Sequence, residues 1–364
     1  MNLEEAPWKQ PTDYHSYSNM RICGYVDMLC CVVTTISNTL IITVFTRSTM
    51  VSPMNTIFIH IAITESLAIL SFIPRSWHEY FQVEPCSIHI YRTYKWENFA
   101  LHSYLLAFAF RHMVVWLTVM LGVWRYIAIV HPLKKSQWCD MRTTRKLIIA
   151  GYIFGFLITI PIYFYIAVQP FRIQLDENGC LPSNSTTSNK TINTTIYEFS
   201  VPLEKFPFLY SFSFIGYAVL IKTVPALVLI VISYKLIFAL IEARKRRAGM
   251  VANLNRKHLQ NQTDRTTIIL LLILALFIAT ELNHGIFGTL TGILGPTFFW
   301  GYFYYTMEIA NTFAHISQSL NFVFYYAMSE QFRKTFNSLF KRNGNKSSHD
   351  GHRIRGITEI EQLI

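Results

Sequence analysis

Seven long apolar segments constrain this chain more than any other feature. A helix that crosses a bilayer needs about 20 mostly apolar residues, and the sequence has such runs at seven places. They cover residues 22–46, 54–74, 98–128, 147–169, 211–241, 266–293 and 298–327. Because lipid offers no partner for backbone polar groups, each run must satisfy its own hydrogen bonds as a helix. The sequence therefore predicts an all-α membrane protein built as a seven-helix bundle.

Little of the chain remains for a soluble domain, since only 15% of its residues are charged, against about 25% in a typical soluble domain. We predict an N-terminal segment at 1–21, a bundle at 22–328, an amphipathic helix at 329–341 and a tail at 342–364. The first segment is polar and lacks the apolar core of a signal peptide. We therefore expect the first span to direct membrane insertion.

The distribution of cations predicts the orientation. Lys and Arg concentrate after the third, fifth and seventh spans, at 134–146, 244–265 and 333–355. Short cytoplasmic loops retain such residues, so the N-terminus is predicted outside and the tail inside. The net charge of +11 then reflects this bias and contact with anionic lipid heads. It gives no reason to expect nucleic-acid binding.

The segment between the fourth and fifth spans agrees with this orientation. It contains three acceptor patterns for N-linked glycans, at Asn184, Asn189 and Asn193, and such patterns are glycosylated only on the outer side. Cys86 and Cys180 are the two cysteines predicted clearly outside. We expect a disulfide between them in that oxidising compartment, with two free thiols as the alternative.

The region after the seventh span reads "SEQFRKTFNSLF". Its aromatic and aliphatic residues recur at helical intervals with cations between them, which is typical of an amphipathic helix on the inner leaflet. Elsewhere the sequence has no HExxH pattern and no paired His/Cys cluster, so we expect neither an enzyme nor a metal or other cofactor. The absence of an internal repeat argues against a transporter.

One charged residue near the end of the third span requires an explanation. Arg125 lies between Trp124 and Tyr126, followed by "IAIVHPL", and an arginine at a helix centre in lipid costs roughly 2.5 to 3.5 kcal/mol. The pattern resembles the rhodopsin-like G-protein-coupled receptors, whose third helix ends in Arg-Tyr at the cytoplasmic mouth. The resemblance implies that Arg125 exchanges partners when a G protein binds. Because Trp124 replaces the usual acidic neighbour, Asp264 is the expected substitute partner.

Other positions carry the same resemblance. Asn38, Glu65 and Pro225 match positions of helices one, two and five, and Asn321 and Tyr325 match the signature of helix seven. The resemblance implies a central network of Asn38, Glu65 and Asn321, with room for a sodium ion near Glu65. A protonated Glu65 that makes neutral hydrogen bonds is the alternative. The implied switch residues are listed together: Arg125, Tyr126, Asp264, Asn321 and Tyr325.

The sequence of the sixth span indicates a subgroup within this class of receptors. "DRTTIILLLILALFIATELNHGIFGTLTGILG" is similar to the invertebrate myosuppressin and FMRFamide-type neuropeptide receptors. This implies a plasma-membrane receptor for an extracellular Arg-Phe-amide peptide. Its implied partners are a heterotrimeric G protein, of the inhibitory class by resemblance, with arrestin and a receptor kinase. Nematode-type chemoreceptors share much of the pattern, so a chemoreceptor for small environmental molecules is the alternative, and a transporter the more distant one.

Ionisable residues in the outer half of the spans are the candidate ligand contacts, since charges inside a membrane usually serve function. They are Glu97, Arg111, His112, Lys222, Glu281 and Glu308. We expect an Arg111–Glu281 ion pair that restrains the sixth helix, the alternative being two charges satisfied separately by water and backbone. Glu97, Glu281 or Glu308 could meet a ligand's cation; of these, Glu97 reads as a solvated loop carboxylate and Glu308 is the strongest candidate.

Overall fold

The computed structural model describes residues 14–82, 88–131, 133–176, 180, 192–200, 207–248, 275, 278–295, 298, 302 and 304–340. The helices of the bundle are α1 (Tyr14–Phe45), α2 (Pro53–Trp77), α3 (Tyr94–Val130), α4 (Met141–Tyr165), α5 (Pro207–Tyr217), α6 (Val224–Ala248), α7 (278–294), α8 (Tyr304–Ser319), α9 (Asn321–Met328) and α10 (Glu330–Phe340). Two strands, β1 (Ala167–Leu175) and β2 (Ile192–Ser200), interrupt this series.

Five stretches of the described chain are long and apolar enough to cross a membrane. They are Arg21–Phe45, Pro53–Gln82, Tyr94–Val130, Met141–Ile160 and Phe214–Ala239. These stretches match the first five predicted spans. The predicted sixth span is described only from residue 275 onward, with a gap, and the seventh is divided at Leu320 between α8 and α9.

Three spanning helices begin at side chains that cap them. Ser52 Oγ accepts a hydrogen bond from the Asn55 amide ahead of α2, and Thr93 Oγ1 accepts one from Trp96 ahead of α3. Asp140 accepts two from the first turn of α4. Because the first amides of a helix have no partner within it, such oxygens fix where a helix starts.

The long α3 lies at the centre of the bundle and packs against α2, α4 and α6. Toward its Arg125 end, here called the inner end after the predicted orientation, an apolar cluster joins α1, α2 and α3 to α9 and α10. Many side chains of α4 and α6 instead expose large apolar groups, including Ile153, Leu157 and Val231. A lipid-facing surface explains this exposure, since soluble proteins rarely expose so much apolar area.

A wide helical turn at Ala218–Thr223 joins α5 to α6. Its backbone bonds span five residues instead of four, since the Val224 amide donates to the Val219 carbonyl. Pro225 is the second residue after this turn. A proline removes one helical hydrogen bond and crowds the preceding turn. The inserted residue rotates Lys222 toward α7, and such π-type turns are frequent at functional sites.

Glycines bring α7 close to this turn. A Cβ built on Gly285 would lie 2.5 Å from Thr223 Oγ1, and one on Gly292 would lie 2.5 Å from Ile215 Cγ1. Small residues at a helix contact allow backbones in a membrane to approach closely. The "GIFGTLTG" run therefore serves to seat α7 against α5 and the wide turn.

The connection between α4 and α5 contains an antiparallel hairpin, which was not predicted from the sequence. β1 pairs with β2 from Ala167 opposite Ser200 to Leu175 opposite Ile192. Ile173, Leu175 and Ile196 form its small buried core. The hairpin lies at the outer end of the bundle, opposite the Arg125 end, and contacts α3.

Candidate functional site

A cavity lies between the helices in the outer half of the bundle, and both apolar and polar side chains line it. Arg111 of α3, Lys222 of the wide turn and His284 of α7 line it, together with Asn311 and His315 of α8. Glu65 of α2 is also part of the lining. The cavity therefore joins the candidate ligand residues to the predicted central network.

Glu281 pairs with Lys222, which corrects the expected Arg111–Glu281 pair. Lys222 Nζ lies 2.7 Å from Glu281 Oε2, and the lysine is 1% exposed. The expectation failed because the wide turn adds a residue to the helix. The side chain of Lys222 then points to the face of α7 that carries Glu281. Lys222, which lines the cavity, is thus already paired with a carboxylate of α7.

Arg111 contacts neutral groups instead. Its Nη1 donates to Asn311 Oδ1 at 2.6 Å, and its Nη2 lies 2.7 Å from His315 Nε2. Since a guanidinium only donates, His315 Nε2 must accept, and the ring proton lies on Nδ1. That Nδ1 donates to Asp27 Oδ1 at 3.1 Å. A chain of hydrogen bonds therefore runs from Arg111 through His315 to a carboxylate of α1.

Two other candidate ligand residues, Glu97 and His112, are not among the residues that line this cavity. Glu97 is 2% exposed, so its interpretation as a solvated loop carboxylate was wrong: it accepts from His78 at 3.3 Å and lies 3.6 Å from Arg92. His112 is fully buried and contacts Thr159. Glu308 belongs to α8, but its side chain lies outside the described residues.

Arg92 organises a cluster of carboxylates at the outer end. It contacts Glu79 at 3.1 Å and Glu198 at 3.2 Å, in addition to Glu97. These three acids come from the turn after α2, the start of α3 and β2. The Arg92 carbonyl also accepts from the Tyr197 amide. One arginine thus ties the hairpin to two helices.

The excess of acid in this cluster affects Glu198. Burial raises the pKa of Glu198 from 4.5 to about 7; the neighbouring carboxylates of Glu79 and Glu97 act in the same direction, while Arg92 opposes them. Removing a carboxylate from water disfavours its charged form. Glu198 therefore gains a proton close to neutral pH.

The three residues of the predicted central network lie together. Asn38 Nδ2 donates to Glu65 Oε2 at 3.3 Å, and Asn321 Nδ2 lies 3.3 Å from both Glu65 oxygens. Glu65 is 5% exposed and Asn38 fully buried. Asn38 Oδ1 has no hydrogen-bond partner among the described residues. A buried acceptor beside a carboxylate matches the oxygen ligands that a sodium ion would need.

At the inner end, Trp124 takes a role different from that of an acidic neighbour. Its indole donates to Thr144 Oγ1 at 3.0 Å and so fastens α3 to α4. Arg125 Nε is buried without a hydrogen-bond partner among the described residues. The ring of Tyr126 lies 5.9 Å from Lys235 Nζ. Asp264, the expected partner of Arg125, lies outside the described residues.

Tyr325 packs in the inner apolar cluster. Its ring centroid lies 4.7 Å from that of Phe58 and 5.8 Å from that of Phe45. The tyrosine is 7% exposed. Any approach of Tyr325 to Arg125 would require this aromatic packing to open.

The structure describes only some of the residues of the predicted disulfide and of the predicted glycan sites. Cys180 is disulfide-bonded, whereas Cys30, Cys31 and Cys139 are free thiols. Cys86, its predicted partner, lies outside the described residues, as do Asn184 and Asn189. Asn193 is exposed on β2, as a glycan acceptor must be.

Sequence reasoning missed several residues of these sites. Asp27, Asn311 and His315 were not among the predicted site residues. An aspartate within an apolar span is a signal that calls for a function, so Asp27 could have been found. Arg92 and Glu198 carried no such signal, because their proximity depends on the hairpin.

Membrane-spanning helices around a cavity, with a buried polar network beside it and an arginine at the inner end, are the arrangement expected of a G-protein-coupled receptor. The chain belongs to the serpentine type 7TM GPCR chemoreceptor Srw family, whose family model matches residues 25–343. This confirms the receptor class predicted from the motifs. The class is a membrane receptor and generally not an enzyme.

Relatives of low sequence identity are receptors of the same class. The chain is 22% identical to the sex peptide receptor of Drosophila melanogaster, over 92% of this chain and 75% of that protein. It is 24% identical to the sex peptide receptor-related protein 2 of Caenorhabditis elegans, over 84% and 68%. It is 22% identical to the G-protein coupled receptor dmsr-1 of the same nematode, over 88% and 68%. These relatives are consistent with a neuropeptide-type receptor.

Proposed function

We propose that this chain is a plasma-membrane receptor for an extracellular amidated neuropeptide of the myosuppressin or FMRFamide type, and that it activates heterotrimeric G proteins, of the inhibitory class. The full receptor has seven spans, an outer N-terminus and α10 on the inner leaflet. The relatives named as sex peptide receptors support a peptide ligand. Arrestin and a receptor kinase are the further partners expected of an active receptor.

The observation that carries this proposal is the position of the cavity. Its lining combines Arg111 of α3, His284 of α7 and Asn311 of α8 with Glu65 of the central network. A ligand that contacts these residues touches four helices at once. It shifts the equilibrium between two arrangements of the bundle by its difference in affinity for them.

The inner end of the bundle is where the G protein would bind and be activated. Among the described residues, Arg125 Nε has no hydrogen-bond partner, and Tyr325 packs against Phe45 and Phe58. We propose that the ligand stabilises an arrangement in which the inner part of the sixth helix moves outward. Arg125 then binds the G protein, and Tyr325 leaves its aromatic neighbours.

A panel of amidated peptides, with G-protein dissociation as the readout in cells, tests the proposal. At least one Arg-Phe-amide peptide is expected to cause dissociation in cells that display the receptor on their surface. The Arg125→Gln variant serves as the control that should reach the surface and stay silent. Failure of every peptide on surface-displayed wild-type receptor would contradict the ligand class.

A chemoreceptor for small molecules is the second candidate. The matched family is described as chemoreceptors, which supports this candidate. G-protein dissociation in response to a small molecule of a test panel, with no response to any peptide, would favour this candidate. Uptake of a substrate without G-protein activation would instead indicate a transporter.

A further inference from the structure

We propose that Asp27 of α1 is the counter-ion of Arg111 and acts on it through the imidazole of His315. This relay of three residues holds one edge of the guanidinium in a fixed position at the cavity. Asp27 is not among the residues that line the cavity, so it is a positioning residue, through which α1 influences ligand binding without touching the ligand. The effect on the ligand rests on the proposed function, whereas the relay itself does not.

The direct contacts of Arg111 do not compensate its charge. A guanidinium stays charged in a protein, and a charge inside a bundle is costly unless it is paired. Among the described residues, Arg111 contacts the neutral side chains of Asn311 and His315. Glu281, the carboxylate expected from the sequence, is bound to Lys222 instead. The compensating charge therefore lies beyond the groups that Arg111 touches.

Asp27 supplies this charge across one imidazole ring. His315 Nδ1 lies 3.1 Å from Asp27 Oδ1, and Nε2 of the same ring lies 2.7 Å from Arg111 Nη2. Asp27 is fully buried and His315 is 1% exposed. Because water is excluded there, it screens the interaction between the carboxylate and the guanidinium only weakly. Glu65, a carboxylate that lines the cavity, is instead hydrogen-bonded within the central network.

The carboxylate also fixes the state of the imidazole. Because Arg111 only donates, His315 Nε2 must accept, and the proton of the ring lies on Nδ1, directed at Asp27. A carboxylate in this position selects the tautomer of a histidine and makes its free nitrogen a better acceptor, as it does behind metal-binding histidines. Phe72 packs edge-on against the same ring, with 5.3 Å between the centroids. The acceptor that faces Arg111 is therefore held in one orientation.

Packing of α1 against α8 does not by itself explain an acid at position 27. Asp27 Oδ2 is buried without a hydrogen-bond partner among the described residues, and an unsatisfied carboxylate oxygen destabilises a fold. Farther along the same two helices, the contact is made by two hydroxyl groups, Thr34 Oγ1 and Ser319 Oγ, which lie 3.2 Å apart. A neutral pair is therefore sufficient to join these helices, and the negative charge of Asp27 serves Arg111.

A double-mutant cycle on the purified, ligand-free receptor tests the relay. Asp27→Asn removes the charge at nearly constant size, so it should lower the midpoint of thermal unfolding in detergent by about 2 °C or more. In the Arg111→Gln background, Asp27 is a buried carboxylate without its cation. The same change should then leave the midpoint unaltered or raise it. Equal losses in the two backgrounds, or no loss in the wild-type background, would overturn the relay.

Thr34→Val is the matched control, since Thr34 is fully buried in α1 and contacts α8 without a charge. Its effect on the midpoint should be the same with Arg111 and with Arg111→Gln. Variants of the central residue add a second test that keeps Asp27 and Arg111. His315→Gln retains one acceptor and one donor, whereas His315→Met retains neither. His315→Gln should therefore unfold closer to wild type, and equal losses with the two variants would contradict the relay.

The effect on the ligand is measured separately, in cells that display equal amounts of each variant. With the most potent Arg-Phe-amide peptide of the panel, Asp27→Asn should reduce potency by about tenfold or more, and Thr34→Val should leave it unchanged. Equal potency of Asp27→Asn and wild type would overturn the positioning role. Silence of the wild type toward every peptide would overturn the proposed ligand class, and the thermal cycle would still decide the relay.

Discussion

Lys222 Nζ and Glu281 Oε2 lie 2.7 Å apart inside the bundle, and the two side chains are 1% and 8% exposed. The pair joins the wide turn between α5 and α6 to α7, the part of the sixth helix that the structure describes. It therefore connects two of the elements that line the cavity, and it removes Glu281 from the groups available to a cationic ligand.

Breaking this pair from one side should destabilise the receptor strongly. Lys222→Met leaves the Glu281 carboxylate buried and unpaired, at an expected cost of about 3 to 5 kcal/mol. Thermal unfolding in detergent and surface display measure the effect. The double variant with Glu281→Met should recover much of the loss, because no buried charge remains. An absence of any recovery would show that the two residues do not act as a pair.

An exposed ion pair provides the control for this experiment. Lys334 and Glu330 of α10 lie 2.8 Å apart, but their side chains are 76% and 40% exposed. Water screens such a pair, so Lys334→Met should change the free energy of unfolding by no more than about 1 kcal/mol.

Gly285→Ala should weaken the contact between α7 and the wide turn. The added methyl group would lie 2.5 Å from Thr223 Oγ1, a hydroxyl already bonded to the Ala218 carbonyl at 2.9 Å. Overpacking of this kind costs about 1 to 3 kcal/mol, which thermal unfolding would detect. Gly151→Ala is the matched control, since nothing lies within 4 Å of a Cβ there. Equal effects of the two changes would argue against close packing at Gly285.

Glu65→Gln tests the central network as a switch. Asn38 and Asn321 both direct N–H groups at the Glu65 carboxylate, and a glutamine accepts with only one of its two terminal atoms. We expect normal surface display with an altered ratio of stimulated to basal G-protein activation. Glu330→Gln, at a 40% exposed side chain, should leave the ratio unchanged. If Glu65→Gln matched wild type in both outputs, the network would have no switching role.

The outer cluster should make stability depend on pH through Glu198. Its pKa is raised from 4.5 to about 7, so between these values the folded state binds a proton that the unfolded state does not. The contribution of this group is therefore present at low pH and is lost as the pH rises through about 7. Thermal unfolding from pH 5 to pH 8 measures it.

Glu198→Gln should flatten that part of the pH profile, because a glutamine keeps the neutral form at every pH. Glu330→Gln again serves as the exposed control and should leave the profile unchanged. A profile of Glu198→Gln that coincides with that of wild type would show that another group titrates in this window.

The helices could be predicted from the sequence because hydropathy, caps and the length of apolar runs are local properties. The first five spans appear in the structure close to their predicted bounds. The β1–β2 hairpin was missed for the opposite reason. Its stability depends on pairing two strands separated along the chain and on the contact between Tyr197 and Arg92, and neither is visible in a local pattern.

In the candidate site too, single residues could be predicted from local sequence, whereas their contacts could not. Charges inside apolar spans pointed to Arg111, Lys222, Glu281 and Glu65 individually. Their partners could not be assigned, because the wide turn at Ala218–Thr223 adds a residue and rotates Lys222, which spacing along a regular helix does not reveal. Asn311 and His284 become important only once α7 and α8 face each other across the cavity.

The most direct test of the receptor mechanism is guanine-nucleotide exchange on a purified heterotrimeric G protein, catalysed by the receptor in lipid nanodiscs. The account predicts that an amidated Arg-Phe peptide accelerates exchange, and that the Arg125→Gln variant binds the same peptide without accelerating it. Exchange at the same peptide-stimulated rate with Arg125→Gln, or none with wild-type receptor occupied by peptide, would contradict the account.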